Sequence, residues 1–312
     1  LRACCLGYVT QAAVVNLAPL LFVIFQNRYG LSFTMIGSLV LFNFVVQLSV
    51  DAVSIKFVDR IGYRASVMIA HGFSAAGLLL LGILPGIMPA YAGMLIAVFL
   101  YAIGGGLIEV LISPIVDSLP GDAKASTMSL LHSFYSWGQV VVVALSTLLL
   151  QLIGHDLWFL LPMLWAILPA ANLFYFLRVP LIRPVGEEHR LPLKKLLTSR
   201  FFVVAMLLMV CSGAAEQAMS QWASLFVEKG LGISKVLGDL LGPCIFAVMM
   251  GIGRTLYGTR GQKLNLQKAL SVCAVLCIVS YLLTALVPVP AVALLGCALC
   301  GLSVSLMWPG ML

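Results

Sequence analysis

Charged side chains are scarce in this chain: Asp, Glu, Lys and Arg make up 9% of its 312 residues, where a typical soluble domain carries roughly 25%. Hydrophobic residues account for 62% of the sequence. A chain of this composition lacks the polar surface to cover an apolar core in water, which excludes a soluble fold. The composition therefore predicts a polytopic membrane protein built from helices, whose backbone is satisfied within lipid.

Several motifs of enzymes and nucleotide-binding proteins are also missing. The sequence has no Walker motif, and the glycine run Gly104–Gly106 lacks the Lys-Ser/Thr that a phosphate loop requires. Cys297 and Cys300 have the spacing of metal ligands, but no His or carboxylate stands near them in the sequence. We therefore expect no enzymatic activity, no cofactor and no metal, and an ion gradient as the source of energy.

Ten apolar runs cover most of the chain, each near the ~20 residues that a helix needs to cross a bilayer. Short polar turns separate them, and prolines inside several runs predict kinks. The predicted spans are residues 3–26, 34–57, 65–86, 90–118, 123–153, 157–178, 200–227, 234–258, 266–287 and 291–312.

Basic residues divide unevenly between the two ends of these spans. If the N-terminus is cytoplasmic, only Arg28, Lys229 and Lys235 of the 18 Lys and Arg residues lie on the outer side. Cytoplasmic loops of membrane proteins carry such an excess of basic residues. We therefore predict a multi-pass plasma-membrane protein with a cytoplasmic N-terminus, and the net charge of +7 requires no nucleic-acid partner.

A basic loop divides the chain into two parts. We predict a six-helix bundle at residues 1–178, a cytoplasmic linker at 179–199, and a partial bundle of four helices at 200–312. The basic, amphipathic second half of the linker, Leu193–Thr198, is expected to lie along the inner membrane surface. Basic turns that contain glycine stand at corresponding positions of the two parts, as expected for parallel repeats.

Polar residues recur at helical spacing inside the apolar runs, which places them on single helix faces. Such stripes are expected where helices line a watery cavity. Polar residues also join helices through hydrogen bonds worth ~0.6 kcal/mol each, so both interpretations stay open for any one residue. The stripes comprise Asn43, Gln47 and Asp51 in the second span; Gly105, Glu109 and Ser113 in the fourth; Ser129, His132, Ser136 and Gln139 in the fifth; and Gly213, Glu216 and Ser220 in the seventh.

Glu109 and His132 lie at nearly equal distances from the turn near Gly121 that separates the fourth and fifth spans. Antiparallel neighbouring helices would hold both side chains at one depth. A carboxylate facing an imidazole can exchange a proton near neutral pH. We predict that Glu109 binds a proton whose movement drives the transport of a solute, and that His132 tunes the proton affinity of Glu109 or contacts that solute. A static buried hydrogen bond between the two residues is the alternative.

Three further residues have a chemistry that suits a sugar. Glu216 lies in the middle of the seventh span, where it can accept hydrogen bonds from sugar hydroxyls or pair with a polar neighbour. Trp137 and Trp222 offer aromatic surface to the apolar face of a sugar ring, although aromatic residues also anchor helices at the interface. The predicted substrate site comprises Asn43, Gln47, Ser136, Trp137, Gln139, Glu216, Ser220 and Trp222.

Two stretches resemble a known family. The turn Asp59–Arg64, with the sequence DRIGYR, resembles the signature loop of the major facilitator superfamily. Residues 104–138, which hold a glycine run, Glu109, a Ser-Pro pair and the HSFY entry to the fifth span, are similar to its fucose/galactose/glucose proton-symporter branch. That branch carries a second acid in the first helix, where Asn16–Pro19 contains none.

The resemblance implies an all-α major facilitator fold of two pseudo-symmetric six-helix bundles, with a solute bound between them and exposed to either side in turn. About ten of the twelve helices are present, and we expect the chain to be truncated. The signature loop implies a cytoplasmic gate formed by Asp59, Arg60 and Arg64, with Arg254 as its counterpart in the second part; retention of basic residues on the inner side is the plain alternative.

These observations predict a secondary active transporter that moves a sugar or a similar small polar solute by alternating access, coupled to protons. We expect it to act as a monomer in the lipid bilayer. A drug or metabolite efflux carrier on the same scaffold is the first alternative, and binding of lipophilic cations would favour it. A non-transporting membrane receptor or scaffold is the second, and it would show no counterflow of labelled solute.

Overall fold

The computed structural model describes residues 1–120, 124–181, 197–260, 265–287, 289–308 and 310. Every regular element within these ranges is helical, which confirms the predicted all-α class. Helices are the expected result, because an apolar segment in lipid can satisfy its backbone N–H and C=O groups only within itself. In the described part of the chain, nine helices are long and apolar enough to cross a membrane.

The first compact unit comprises Leu1–Leu119 and Val141–Ile182. Glycines with positive φ, such as Gly30 at 65° and Gly62 at 84°, end its first two helices, because L side chains rarely adopt this conformation. The helices of this unit are α1 (Arg2–Tyr29), α2 (Phe33–Ile61), α3 (Tyr63–Ile87), α4 (Ala90–Asp117), the second part of α5 (Lys124–Ile153), and α6 (Leu160–Arg178).

Helix α1 is buried along nearly its whole length and packs against α4 and α6. Helix α3 packs against the same two helices. The glycine run of α4 makes its approach to α3 possible: a Cβ atom on Gly104 would lie 2.6 Å from the carbonyl oxygen of Ala70. The run therefore serves close helix packing, as small residues do at membrane helix interfaces.

The second compact unit comprises Pro120–Val140 and Arg183–Leu312. Its helices are α7 (Arg200–Leu225), α8 (Lys235–Asp239), α9 (Ile245–Arg260), α10 (Leu266–Leu286) and α11 (Pro290–Val304), and it contains the first part of α5. A π-helical turn, Phe226–Gly230, extends α7, and another, Leu240–Cys244, joins α8 to α9 so that both form one span.

A polar cluster ties α7 to α8 in this unit. Asp239 is fully buried, accepts a hydrogen bond from Ser224 and pairs with Lys235, whose Nζ lies 2.6 Å from Oδ1. Gly242 lets the backbones approach, since a Cβ atom there would lie 3.2 Å from the carbonyl oxygen of Ala223. The cluster supplies a counterion and hydrogen bonds to an otherwise costly buried carboxylate.

The observed helices agree with nine of the predicted spans, and the tenth corresponds to α11, which is 15 residues long. Most of the predicted linker, including residues 193–196 of its amphipathic half, lies outside the described residues. The division into bundles at residues 178 and 200 therefore stays a prediction.

Replacing Gly104 with Ala is expected to destabilise the protein, because the added methyl group would meet the backbone of α3. Overpacking of this kind typically costs about 1–3 kcal/mol. The matched control is Gly86→Ala in α3, where nothing lies within 4 Å of an added Cβ atom. Thermal unfolding in detergent should show a lower Tm for Gly104→Ala alone, and equal Tm values would contradict the close packing.

Candidate functional site

In the first unit, a chain of side-chain amides connects α1, α2 and α4. Gln47 Nε2 donates to Asn43 Oδ1 at 3.2 Å. Gln11 Nε2 lies 3.5 Å from Gln47 Oε1 and 3.4 Å from Glu109 Oε2. Asn43, Gln47 and Gln11 are all buried. The polar stripes of the second and fourth spans are thus joined through Gln11 of α1.

Gln11 is a member of this network that the sequence analysis missed. One feature of the sequence indicated that Gln11 belongs to a network: an amide in the middle of an apolar run requires a hydrogen-bonding partner. Gly105 of α4 makes room for Gln11, since a Cβ atom there would lie 2.9 Å from Gln11 Oε1. Gly106 makes room for the backbone of α2, since a Cβ atom there would lie 3.1 Å from the Gln47 carbonyl oxygen.

Glu109 is exposed within its unit, but not on the apolar side of α4. The exposed apolar residues of this helix include Ile96 and Phe99. At 3.6 residues per turn, Glu109 is rotated from them by about 140° and about 80° respectively. The carboxylate therefore lies on the side of α4 that carries the amide chain.

In the second unit, Arg254 of α9 is the centre of a buried polar cluster. Its guanidinium donates from Nη2 to Glu216 Oε2 of α7 at 2.7 Å, and from Nη1 to Ser136 Oγ of α5 at 3.0 Å. Nη1 also lies 3.5 Å from the carbonyl oxygen of His132. The Arg254 side chain is 2% exposed and that of Glu216 is 8% exposed, so the ion pair is withdrawn from solvent.

Three more contacts surround this cluster. The Arg254 guanidinium lies 5.9 Å from the centre of the Tyr135 ring, a cation–π geometry. Gln139 donates to Ser220 Oγ at 2.9 Å. Trp137, which is 39% exposed, donates from its indole nitrogen to Thr255 Oγ1 at 3.3 Å. A half-exposed aromatic surface thus lies beside a buried ion pair.

The second unit therefore brings together most of the residues predicted for substrate binding. Trp222 differs, because it follows Ser220 by two residues and so points about 200° away around α7. The unit also brings in Arg254, which the sequence analysis assigned to the cytoplasmic gate. The residues that meet are His132, Ser136, Trp137, Gln139, Glu216, Ser220 and Arg254.

The ion pair between Glu216 and Arg254 was not predicted. The two residues are 38 positions apart on different helices, and no helical or strand periodicity relates such positions. The available signal was that Glu216 and Arg254 are charged residues in the interiors of apolar runs of the second part, since intramembrane charges usually pair with one another.

The two residues of the predicted proton pair belong to different units: Glu109 lies in the first and His132 in the second. Each has contacts in its own unit, Glu109 with Gln11 and His132 with Arg254 through its carbonyl oxygen. That Glu109 and His132 face each other stays a prediction.

The predicted cytoplasmic gate shows one clear contact. Arg64 donates to the carbonyl oxygens of Phe176 at 2.7 Å, Leu177 at 2.8 Å and Val179 at 2.7 Å, at the C-terminal end of α6. A cation at this end is favoured by the helix dipole. This partner belongs to the same unit, and the gate itself stays a prediction. Arg60 is exposed, and the Asp59 side chain lies outside the described residues.

Membrane-length helices that carry a carboxylate in one polar network and an ion pair in another define a helical membrane transporter. The family model of the Major Facilitator Superfamily matches residues 4–312, and the chain belongs to this superfamily. The match confirms the resemblance seen in the signature loop and establishes a multi-pass membrane protein. No curated protein matches the sequence.

Solved structures share the fold over nearly the whole chain. The E. coli fucose:proton symporter FucP is 18% identical, with a TM-score of 0.73 over 99% of this chain and 82% of its own. The E. coli xylose transporter XylE, partially occluded and inward open, is 14% identical, with a TM-score of 0.77 over 99% and 82% of the two chains. At these identities the likeness concerns the fold alone.

Proposed function

We propose that this protein is a proton-coupled symporter of a sugar or a similar small polar solute, working by alternating access. The observation that carries the proposal is Glu109, a carboxylate inside a membrane-length helix that is hydrogen-bonded to a chain of amides rather than turned to the apolar side. An acid at this depth marks an ion or substrate pathway by default. The two sugar:proton symporters of the same fold support this assignment.

Proton binding at Glu109 would change the hydrogen bonds along the chain of amides Gln11, Gln47 and Asn43. The ionised carboxylate accepts a hydrogen bond from Gln11 Nε2. A proton turns one carboxyl oxygen into a donor, so Gln11 loses an acceptor and gains a possible donor. The hydrogen bonds of Gln47 and Asn43 depend on the orientation of the Gln11 amide. The protonation state of Glu109 therefore sets which hydrogen-bond donors and acceptors of α1 and α2 remain available.

We further propose that the N-terminus faces the cytoplasm, that the protein acts as a monomer in the plasma membrane, and that Asp59, Arg60 and Arg64 belong to a cytoplasmic gate. The distribution of Lys and Arg supports the orientation. The binding of Arg64 to the end of α6 supports a structural part in the gate, because that bond holds the start of α3 to the last helix of its unit.

Counterflow of labelled solute in proteoliposomes tests the proposal. We expect unlabelled hexoses, pentoses or their acids, loaded inside, to drive accumulation of the labelled form, and a pH gradient to increase it. A receptor would give no counterflow with any solute of the panel. Competition by lipophilic cations in place of sugars would favour the efflux carrier and contradict the proposal.

A further inference from the structure

We infer that the solute carries a carboxylate, and that Arg254 binds this group when a proton on Glu216 releases the guanidinium. The inference rests on the proposed transport function and names its substrate class as acidic sugars, such as uronates. It concerns only the cluster of α5, α7 and α9 in the second unit.

The first argument is the need of a buried guanidinium for an anion. Arginine keeps its charge at any physiological pH, and Arg254 is 2% exposed. Removing the partner of such a charge without replacement is strongly destabilising. Glu216 therefore cannot simply leave when a solute arrives, and a neutral sugar cannot take its place, because hydroxyl groups carry no charge to offset the guanidinium.

The second argument is charge balance. In the resting cluster, the Glu216 carboxylate and the Arg254 guanidinium sum to zero. When a hydronium ion from the solvent transfers its proton to a Glu216 carboxyl oxygen and becomes water, and a solute carboxylate binds Arg254, the sum is again zero. The exchange replaces one bond to the guanidinium with another, and planar carboxylates match its donor fork. Proton and anion would thus enter the cluster together.

The surroundings suit the rest of an acidic sugar. Ser136 Oγ, 3.0 Å from Arg254 Nη1, offers a hydroxyl beside the guanidinium. The ring of Trp137 lies against Gly251, where a Cβ atom would be 3.1 Å from it, and the indole is 39% exposed. The indole belongs to the exposed apolar stripe of α5 that also contains Leu130 and Phe134, so it bounds the polar cluster on that side.

Binding to the purified protein distinguishes this class from neutral sugars. The probes are galacturonate and galactose, which share a ring and differ at C6, measured by calorimetry at about pH 7.5 and about pH 5.5. Galacturonate is ionised at both values, since sugar carboxyls titrate near pH 3–4 like other free carboxyls. We expect its affinity to rise by about tenfold or more at the lower pH, because one proton binds with it, and galactose to bind weakly at both.

Variants assign this behaviour to the ion pair. Glu216→Gln removes the competing charge and should bind galacturonate with equal affinity at both pH values. Arg254→Gln should lose about 30-fold or more, as expected when one partner of a buried charge pair is removed. Equal affinity for galactose and galacturonate in the unmodified protein, or wild-type pH dependence in Glu216→Gln, would overturn the inference.

Other titratable groups around Glu216 need a control. His132 faces the cluster from α5 and titrates near neutral pH in water, so His132→Gln should keep the pH dependence of galacturonate binding if Glu216 is responsible. Tyr135 of α5 and Tyr281 of α10, which donates to the Ala215 carbonyl oxygen, titrate far above this range. Loss of the pH dependence in His132→Gln would contradict the role of Glu216.

The proposed function and this inference fail in different ways. Counterflow of galactose without binding of galacturonate would preserve the symporter and remove the acidic substrate. Absence of counterflow with every sugar and sugar acid would remove both.

Discussion

Replacing Glu109 with Gln is expected to lower solute-driven proton entry into proteoliposomes by the one proton that Glu109 carries, leaving the proton that Glu216 takes up with an acidic solute, while exchange of labelled solute continues. The amide keeps the size of the side chain and can still bond with Gln11, but it cannot take up a proton at physiological pH. Coupling needs the proton and exchange does not, so the two activities should separate.

A pH-sensitive dye inside the liposomes measures proton entry, and counterflow measures exchange on the same preparation. Asp156→Asn is the matched control, because Asp156 is an exposed acid. Its carboxylate pairs with Arg28 at the end of α1, at 3.0 Å. The control should keep full proton entry. Unchanged proton entry in Glu109→Gln would remove Glu109 from the coupling mechanism.

The variant Arg254→Met is expected to lower the free energy of unfolding by about 3–5 kcal/mol, because it leaves the Glu216 carboxylate buried without a counterion. Glu216→Leu should lower the free energy of unfolding by a similar amount, because it leaves the Arg254 guanidinium buried without a counterion. The double variant should recover most of the loss, since apolar residues of similar volume often replace a buried ion pair at little cost.

Unfolding in detergent, followed for the four proteins of this double-mutant cycle, tests the prediction. Residues in contact typically show coupling energies of about 0.5–3 kcal/mol. The coupling energy between these two substitutions should exceed the upper end of that range. Arg28→Met with Asp156→Leu serves as the control cycle, and its coupling should be about 0–1 kcal/mol, as for exposed pairs. Additive losses at Glu216 and Arg254 would mean that the two side chains do not form a buried pair.

Prediction from the sequence worked well for the helices. The residues of α1 and α4 form long, mostly apolar runs, and the length of a run determines whether it can span a bilayer. The ends were predicted less closely: the first two spans were expected to end at residues 26 and 57, and the helices continue to Tyr29 and Ile61, where Gly30 and Gly62 end them. Stripes such as Asn43 with Gln47 were readable because residues four positions apart share a helix face, and the structure places those two in hydrogen-bond contact.

Partners on different helices were harder to predict. Gln11 joins Gln47 to Glu109, and Arg254 joins Glu216 to Ser136, but neither joining residue was assigned to its network from the sequence. The bond of Arg64 to the end of α6 was likewise not predicted from the sequence. Each of these contacts depends on the rotation and packing of whole helices, which local spacing does not specify.

The sequence by itself determined that this protein resides in a membrane, which segments are apolar and long enough to be candidate spans, and which faces of those segments are polar, because burial of backbone and charge in lipid has a cost that composition and periodicity express directly. Only the tertiary structure decided that Arg254 neutralises Glu216 and that Gln11 bonds with Glu109. The physical reason is that a side chain selects its partner by distance and direction in space, and these follow from the packing of helices far apart in the chain.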